Sequence, residues 1–134
     1  MIDNFFIDNS SRIIFIKTLS EARAETRKTN NFIDTTIYCI SRCILQDCIS
    51  FIEKNKLNND NNKIIKKFYS KYKDTRDFHS HMYASDKTEK ALNLLDITAI
   101  FDELCKKYSV NIDIDSNIWL KNFIREQLTD QPRT

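Results

Sequence analysis

The chain contains no glycine, and its one proline is Pro132. Without glycine it can build neither a P-loop nor a glycine-rich dinucleotide loop, which need close backbone approach with no Cβ in the way. The glycine-dependent hairpin turns of sandwiches and barrels are also awkward to build. A helical domain is the default that remains. The length, 134 residues, suits a single domain with a real core, with 1–10 and 129–134 as candidate flexible ends. Apolar residues at 41% and charged residues at 30% exclude a disordered chain or a membrane span.

Net charge is +2, from 21 basic and 19 acidic residues, so no global field argues for nucleic acid or an anionic membrane. Any such binding has to be local. The stretch from Met1 to Phe6 has no basic leader, and the apolar run Ile13 to Ile16 is too short for a signal or transmembrane core. The expectation is a soluble cytoplasmic protein. Cys39, Cys43 and Cys48 fall on one predicted helix and Cys105 lies far away, which suits buried reduced thiols rather than a disulfide framework.

Along the chain, Ser10 or Ser11 precedes a mixed segment to about Lys28, in which Ile13 to Ile16 begin either a helix or a short strand. From Asn31 the apolar period is three or four: Ile33, Ile37, Ile40, Ile44, Cys48 and Phe51, widened by Tyr38, Leu45, Ile49 and Ile52. This is the central core helix. The Asn-rich run 55–62 reads as a loop, because these side chains compete for backbone hydrogen bonds. A helix then carries Ile64, Ile65, Phe68, Tyr69 and Tyr72. Asp86 and Glu89 form a candidate capping box for a helix reaching about Tyr108. Val110, Ile112 and Ile114 alternate as in a short extended piece, and Ser116 caps a last helix bearing Leu120, Ile124 and Leu128. The fold class is all-α, a bundle of four or five helices.

Basic charge is concentrated: Lys63, Lys66, Lys67, Lys71, Lys73 and Arg76 face only Asp74 over residues 63–76, whereas residues 86–134 hold nine acidic and seven basic side chains. Lys66, Lys67, Lys71 and Lys73 form either a solvated helix face or a phosphate-tracking surface suited to RNA. They lead into Arg76-Asp77-Phe78-His79-Ser80-His81-Met82-Tyr83, which holds both histidines of the chain.

This segment reads R-x4-H-x-Y and resembles the signature of HEPN domains, most closely the HepT-like toxins of HEPN/MNT toxin–antitoxin pairs. The match covers eight residues, and about 31–108 in architecture. Asp77 replaces the commoner Asn, Ser80 stands where an apolar residue often precedes the histidine, and His79 is an additional histidine. The resemblance implies a HEPN-like bundle and a metal-independent, cofactor-free endoribonuclease. It implies a homodimer whose two motifs face one cleft, leaving 2′,3′-cyclic phosphate ends on RNA, with an MNT-type nucleotidyltransferase as antitoxin. In the HepT-like pairs, the tyrosine matching Tyr83 is the one modified with AMP, which would add negative charge beside the RNA cleft.

The side chains suit that chemistry. A histidine can take the proton of a ribose 2′-OH or return one to the leaving 5′-oxygen, and an arginine fork can neutralise charge developing on phosphate. At about 100° per residue, Arg76, His79 and Tyr83 share a helical stripe, and His81 lies roughly 140° from Arg76. Regular helix favours His79 and the family pattern favours His81, the preferred acid or base here. Asp77 orients a histidine, holds Arg76 or simply caps, and Tyr83 is either a modification site or a packing aromatic. Cys39 and Cys43 with His79 and His81 are acceptable zinc ligands by type, but both cysteines flank the core stripe, so no metal is expected. Trp119 reads as core or dimer contact. The competing function is a non-catalytic helical adaptor, host-modulating or regulatory, with incidental histidines.

Overall fold

The computed structural model describes residues 4–26, 31–80, 93–115 and 117–129. Within them the chain forms five α-helices, α1 (Asn4–Thr26), α2 (Asn31–Lys54), α3 (Lys63–Ser80), α4 (Leu94–Lys107) and α5 (Ile118–Thr129). A 3-10 turn, Leu57–Asn59, separates α2 from α3, and there is no strand among the described residues. The all-α expectation holds. Helix α1 packs on α2, α4 and α5, and α3 packs on α2 and α4.

Helix α1 starts well before the serines expected to open it. Ser10 and Ser11 lie inside the helix, where their hydroxyls donate to the Ile7 carbonyl at 2.9 and 3.2 Å. The helix is fixed at that end by burial: Phe5 and Phe6 enter the core, so Asn4–Ser10 is not a loose end. Phe5 stacks on Phe51 of α2 with centroids 4.3 Å apart, and Phe6 lies edge-on to Phe51 and Phe101. Ile13, Ile16, Ile44, Ile49, Ile52, Ile97 and Leu104 continue this core. A second cluster, Leu19 and Ile33 with Phe15, Ile37 and Ile124, joins α1, α2 and α5.

Two helix starts differ from the sequence expectation. Asn93, in extended conformation, caps α4 by accepting from the Leu95 N–H at 2.8 Å, so the helix bearing Ile97 and Leu104 begins there rather than at Asp86. Asp86 and Glu89 lie outside the described residues. Asn117 caps α5 through the Leu120 N–H at 2.9 Å, the role expected of Ser116, which also lies outside them. Residues 110–115 make no ladder, yet their burial alternates, with Val110, Ile112 and Ile114 turned toward the core. Lys17 of α1 donates to the Ile114 carbonyl at 2.9 Å and holds the segment down.

The absence of glycine has a local cost. Lys56 (φ 59°) and Ser109 (φ 55°) take the left-handed conformation after α2 and α4, where glycine is the usual occupant. At Ser109 this turns the chain so that the Val110 N–H bonds the Cys105 carbonyl at 2.8 Å. The cysteines also divide: Cys48 and Cys105 are buried as expected, but Cys39 and Cys43 are exposed. Tyr38 is exposed too, under the Arg42 guanidinium. Trp119 is 73% exposed and stacks on Phe123, so it is not core.

Candidate functional site

Helix α3 is capped by Asn62, whose side-chain oxygen accepts from the N–H groups of Ile64 and Ile65 at 3.0 and 3.1 Å. Its inward stripe is Ile65, Phe68, Tyr72 and Thr75. Helical spacing then divides the four candidate lysines between two flanks. Lys66 and Lys73 run with Tyr69 and Arg76 down the flank that meets α2. Lys67 and Lys71 lie on the flank that meets α4, where Lys71 donates to Asp96 at 2.7 Å.

On the α2 flank, Arg76 enters a charge-assisted cluster. Its Nη1 and Nη2 donate to the two carboxylate oxygens of Glu53 at 2.9 and 3.0 Å, and its Nε donates to Asp77 at 2.8 Å. The Tyr69 hydroxyl donates to the same Glu53 at 2.8 Å, and Lys73 Nζ lies 5.7 Å from the centre of the Tyr69 ring. The Arg76 side chain is only 17% exposed. The Arg76 hydrogen bonds hold the Glu53 carboxyl below its ordinary range, with Tyr69 adding to them. Glu53 in turn pushes Arg76 upward, so the cation persists at every working pH. Burial first, and then Glu53, raises the Tyr69 hydroxyl.

Two consequences follow for chemistry. Arg76, Lys73, Glu53 and Asp77 sum to zero formal charge, so the cluster itself is not a cationic patch. Three of the five N–H bonds of the guanidinium are taken, and the remaining two have no partner among the described residues. One remains on each terminal nitrogen, on opposite edges of the guanidinium plane.

Of the residues singled out from sequence, Arg76 and Asp77 are thus in direct contact, with Asp77 holding Arg76. His79 lies within α3, but its side chain is outside the described residues. His81 and Tyr83 lie outside them entirely. Sequence reasoning missed Glu53 and Tyr69. Glu53 directly follows the buried pair Phe51 and Ile52, so an acid at the edge of the core stripe was the one available signal; its partner stands 23 residues on, beyond any local spacing rule.

Among the described residues no group of His, Cys, Asp and Glu is arranged to hold a metal ion, and no helix is long and apolar enough to cross a membrane. Comparison with known proteins finds no matching family model, no matching curated protein and no matching solved structure.

Proposed function

We propose that the chain is a HEPN-type, metal-independent endoribonuclease of a toxin–antitoxin or phage-defence system. The observation that carries this reading is the clamp on Arg76. A guanidinium oriented by Glu53 and Asp77, with two donors to spare, is the preorganised group that stabilises charge on a phosphate without a metal. Lys66 and Lys73 share its flank; Lys73 is already balanced within the neutral cluster, and Lys66 adds the net positive charge beside it. His81 is the proposed acid or base, with His79 as auxiliary or substitute. Tyr83 is the proposed modification site, an MNT-type nucleotidyltransferase the proposed antitoxin, and a homodimer the proposed working form.

A second reading has its own observation. Ile118, Trp119 and Phe123 leave an apolar strip on α5, at 69%, 73% and 48% exposure, of the kind that marks protein contacts. With Arg76 serving only to tie α3 to α2, the chain is then a helical adaptor. The two separate on cleavage of single-stranded RNA in excess EDTA, with Arg76→Ala, His79→Ala and His81→Ala run beside wild type. Cyclic-phosphate ends that disappear with Arg76→Ala and with one histidine variant support the nuclease. RNA left intact by all four proteins rejects it in favour of the adaptor.

A further inference from the structure

The opposite flank of α3 carries a feature that the clamp does not use. Between α3 and α4 lies a cleft of about 180 Å³. Its walls are apolar, formed by Ile64, Phe68, Ala99 and Ile100, and Ile64 is 45% exposed to solvent. Lys67 and Lys71, one turn apart, stand at its lip with Asp96.

Asp96 is a fixed acceptor rather than a loose surface acid. Its Oδ2 receives both Lys71 Nζ at 2.7 Å and the Tyr72 hydroxyl at 2.6 Å, and that hydroxyl accepts the Asn93 N–H at 3.3 Å. Its Oδ1 has no partner among the described residues. The cleft therefore offers an apolar slot of limited size, a carboxylate, Asp96, fixed through its Oδ2, and a cation, Lys67, whose charge acts on Asp96 but which makes no hydrogen bond or ion pair among the described residues.

We propose that this cleft holds one unpaired nucleobase of an RNA, with the amino edge of the base on Asp96 Oδ1 and its phosphate on Lys67. A carboxylate accepting from an exocyclic amino group is a standard base contact, and single-stranded RNA is read by splaying bases into such slots. Cytosine, adenine and guanine present an amino donor; uracil, whose edge is carbonyl-rich, does not. An acidic peptide satisfies Lys67 but sets a second carboxylate against Asp96. The assignment rests on the RNA reading above and adds to it a base-holding subsite that prefers amino-bearing bases.

The test uses the full chain, labelled with ¹⁵N, titrated with CMP, AMP, UMP, inorganic phosphate and a glutamate-rich peptide, for wild type and for Ala99→Trp. Ala99 is exposed, so the larger ring fills the cleft without entering the core. The expected result is saturable shifts at amides of residues 64–71 and 96–100 with CMP and AMP, several-fold weaker with UMP and abolished in Ala99→Trp. No shift with any nucleotide overturns the subsite. So do equal shifts from phosphate alone or from the acidic peptide, or shifts that persist in Ala99→Trp. Nucleotide binding by a chain that leaves RNA intact removes the nuclease reading and keeps the subsite. Cleavage that ignores Ala99→Trp and base identity does the reverse.

Discussion

Glu53 receives both terminal nitrogens of Arg76, at 2.9 and 3.0 Å, and this bidentate contact fastens the end of α2 to the last turns of α3. It ties the stability of the bundle to the orientation of the group proposed to meet phosphate.

The first expectation is a pH-linked one. Because Arg76 holds the Glu53 carboxyl below its ordinary value of 4.5, the clamp contributes fully above about that pH and is lost as pH falls through the lowered value. Glu53 is about one-third exposed, at 35%, so solvent screens the pair and the expected Arg76–Glu53 coupling is about 1–2 kcal/mol. Urea unfolding of wild type, Glu53→Gln, Arg76→Ala and the double variant from pH 7 to pH 3 measures it. Wild type should lose more stability than Glu53→Gln below pH 4.5; parallel curves would show that the pair contributes nothing.

The left-handed residues give a second expectation. Lys56 and Ser109 carry a Cβ at φ near +60°, a conformation that costs such residues energy and glycine none. Lys56→Gly and Ser109→Gly should each stabilise the chain by about 0.5–1 kcal/mol in denaturant unfolding, because strain relief exceeds the added freedom of the unfolded chain. A loss of stability at both positions would mean that those turns are not as described.

Cysteine accessibility supplies a third. Cys39 and Cys43 are exposed on α2, while burial pushes the Cys48 and Cys105 thiols up and away from the reactive thiolate. A small thiol reagent at pH 8 should label two cysteines rapidly and the other two only on unfolding. Four equally fast thiols would contradict the burial of Cys48.

The helical class and the core stripe of α2 were legible because periodicity and the lack of glycine act along the chain. Ile33, Ile44, Cys48 and Phe51 are buried where their spacing put them. The start of α1 was not legible, since Asn4–Ser10 is helical through the packing of Phe5 and Phe6 on α2 and α4, a tertiary cause. Caps were misassigned for a different reason. Asn93 and Asn117 compete with nearby Asp and Ser of similar capping strength, and local sequence does not rank them. At the candidate site, Arg76 stood out through its motif, but Glu53 and Tyr69 became visible only once α2 and α3 were brought together. The split of the lysines follows from their spacing: Lys67 and Lys71 at i, i+4 cannot share a flank with Lys66 and Lys73.

The central claim, that the Arg76 guanidinium, held by Glu53, acts on an RNA phosphate, is tested most directly by Arg76→Lys. Lysine keeps the charge and loses the planar fork. Initial rates on single-stranded RNA in excess EDTA, with thermal unfolding run in parallel to verify the fold, should fall by at least about 100-fold relative to an active wild type, with RNA binding retained. Wild-type rates in a folded Arg76→Lys protein, or no cleavage by wild type at all, would contradict the account.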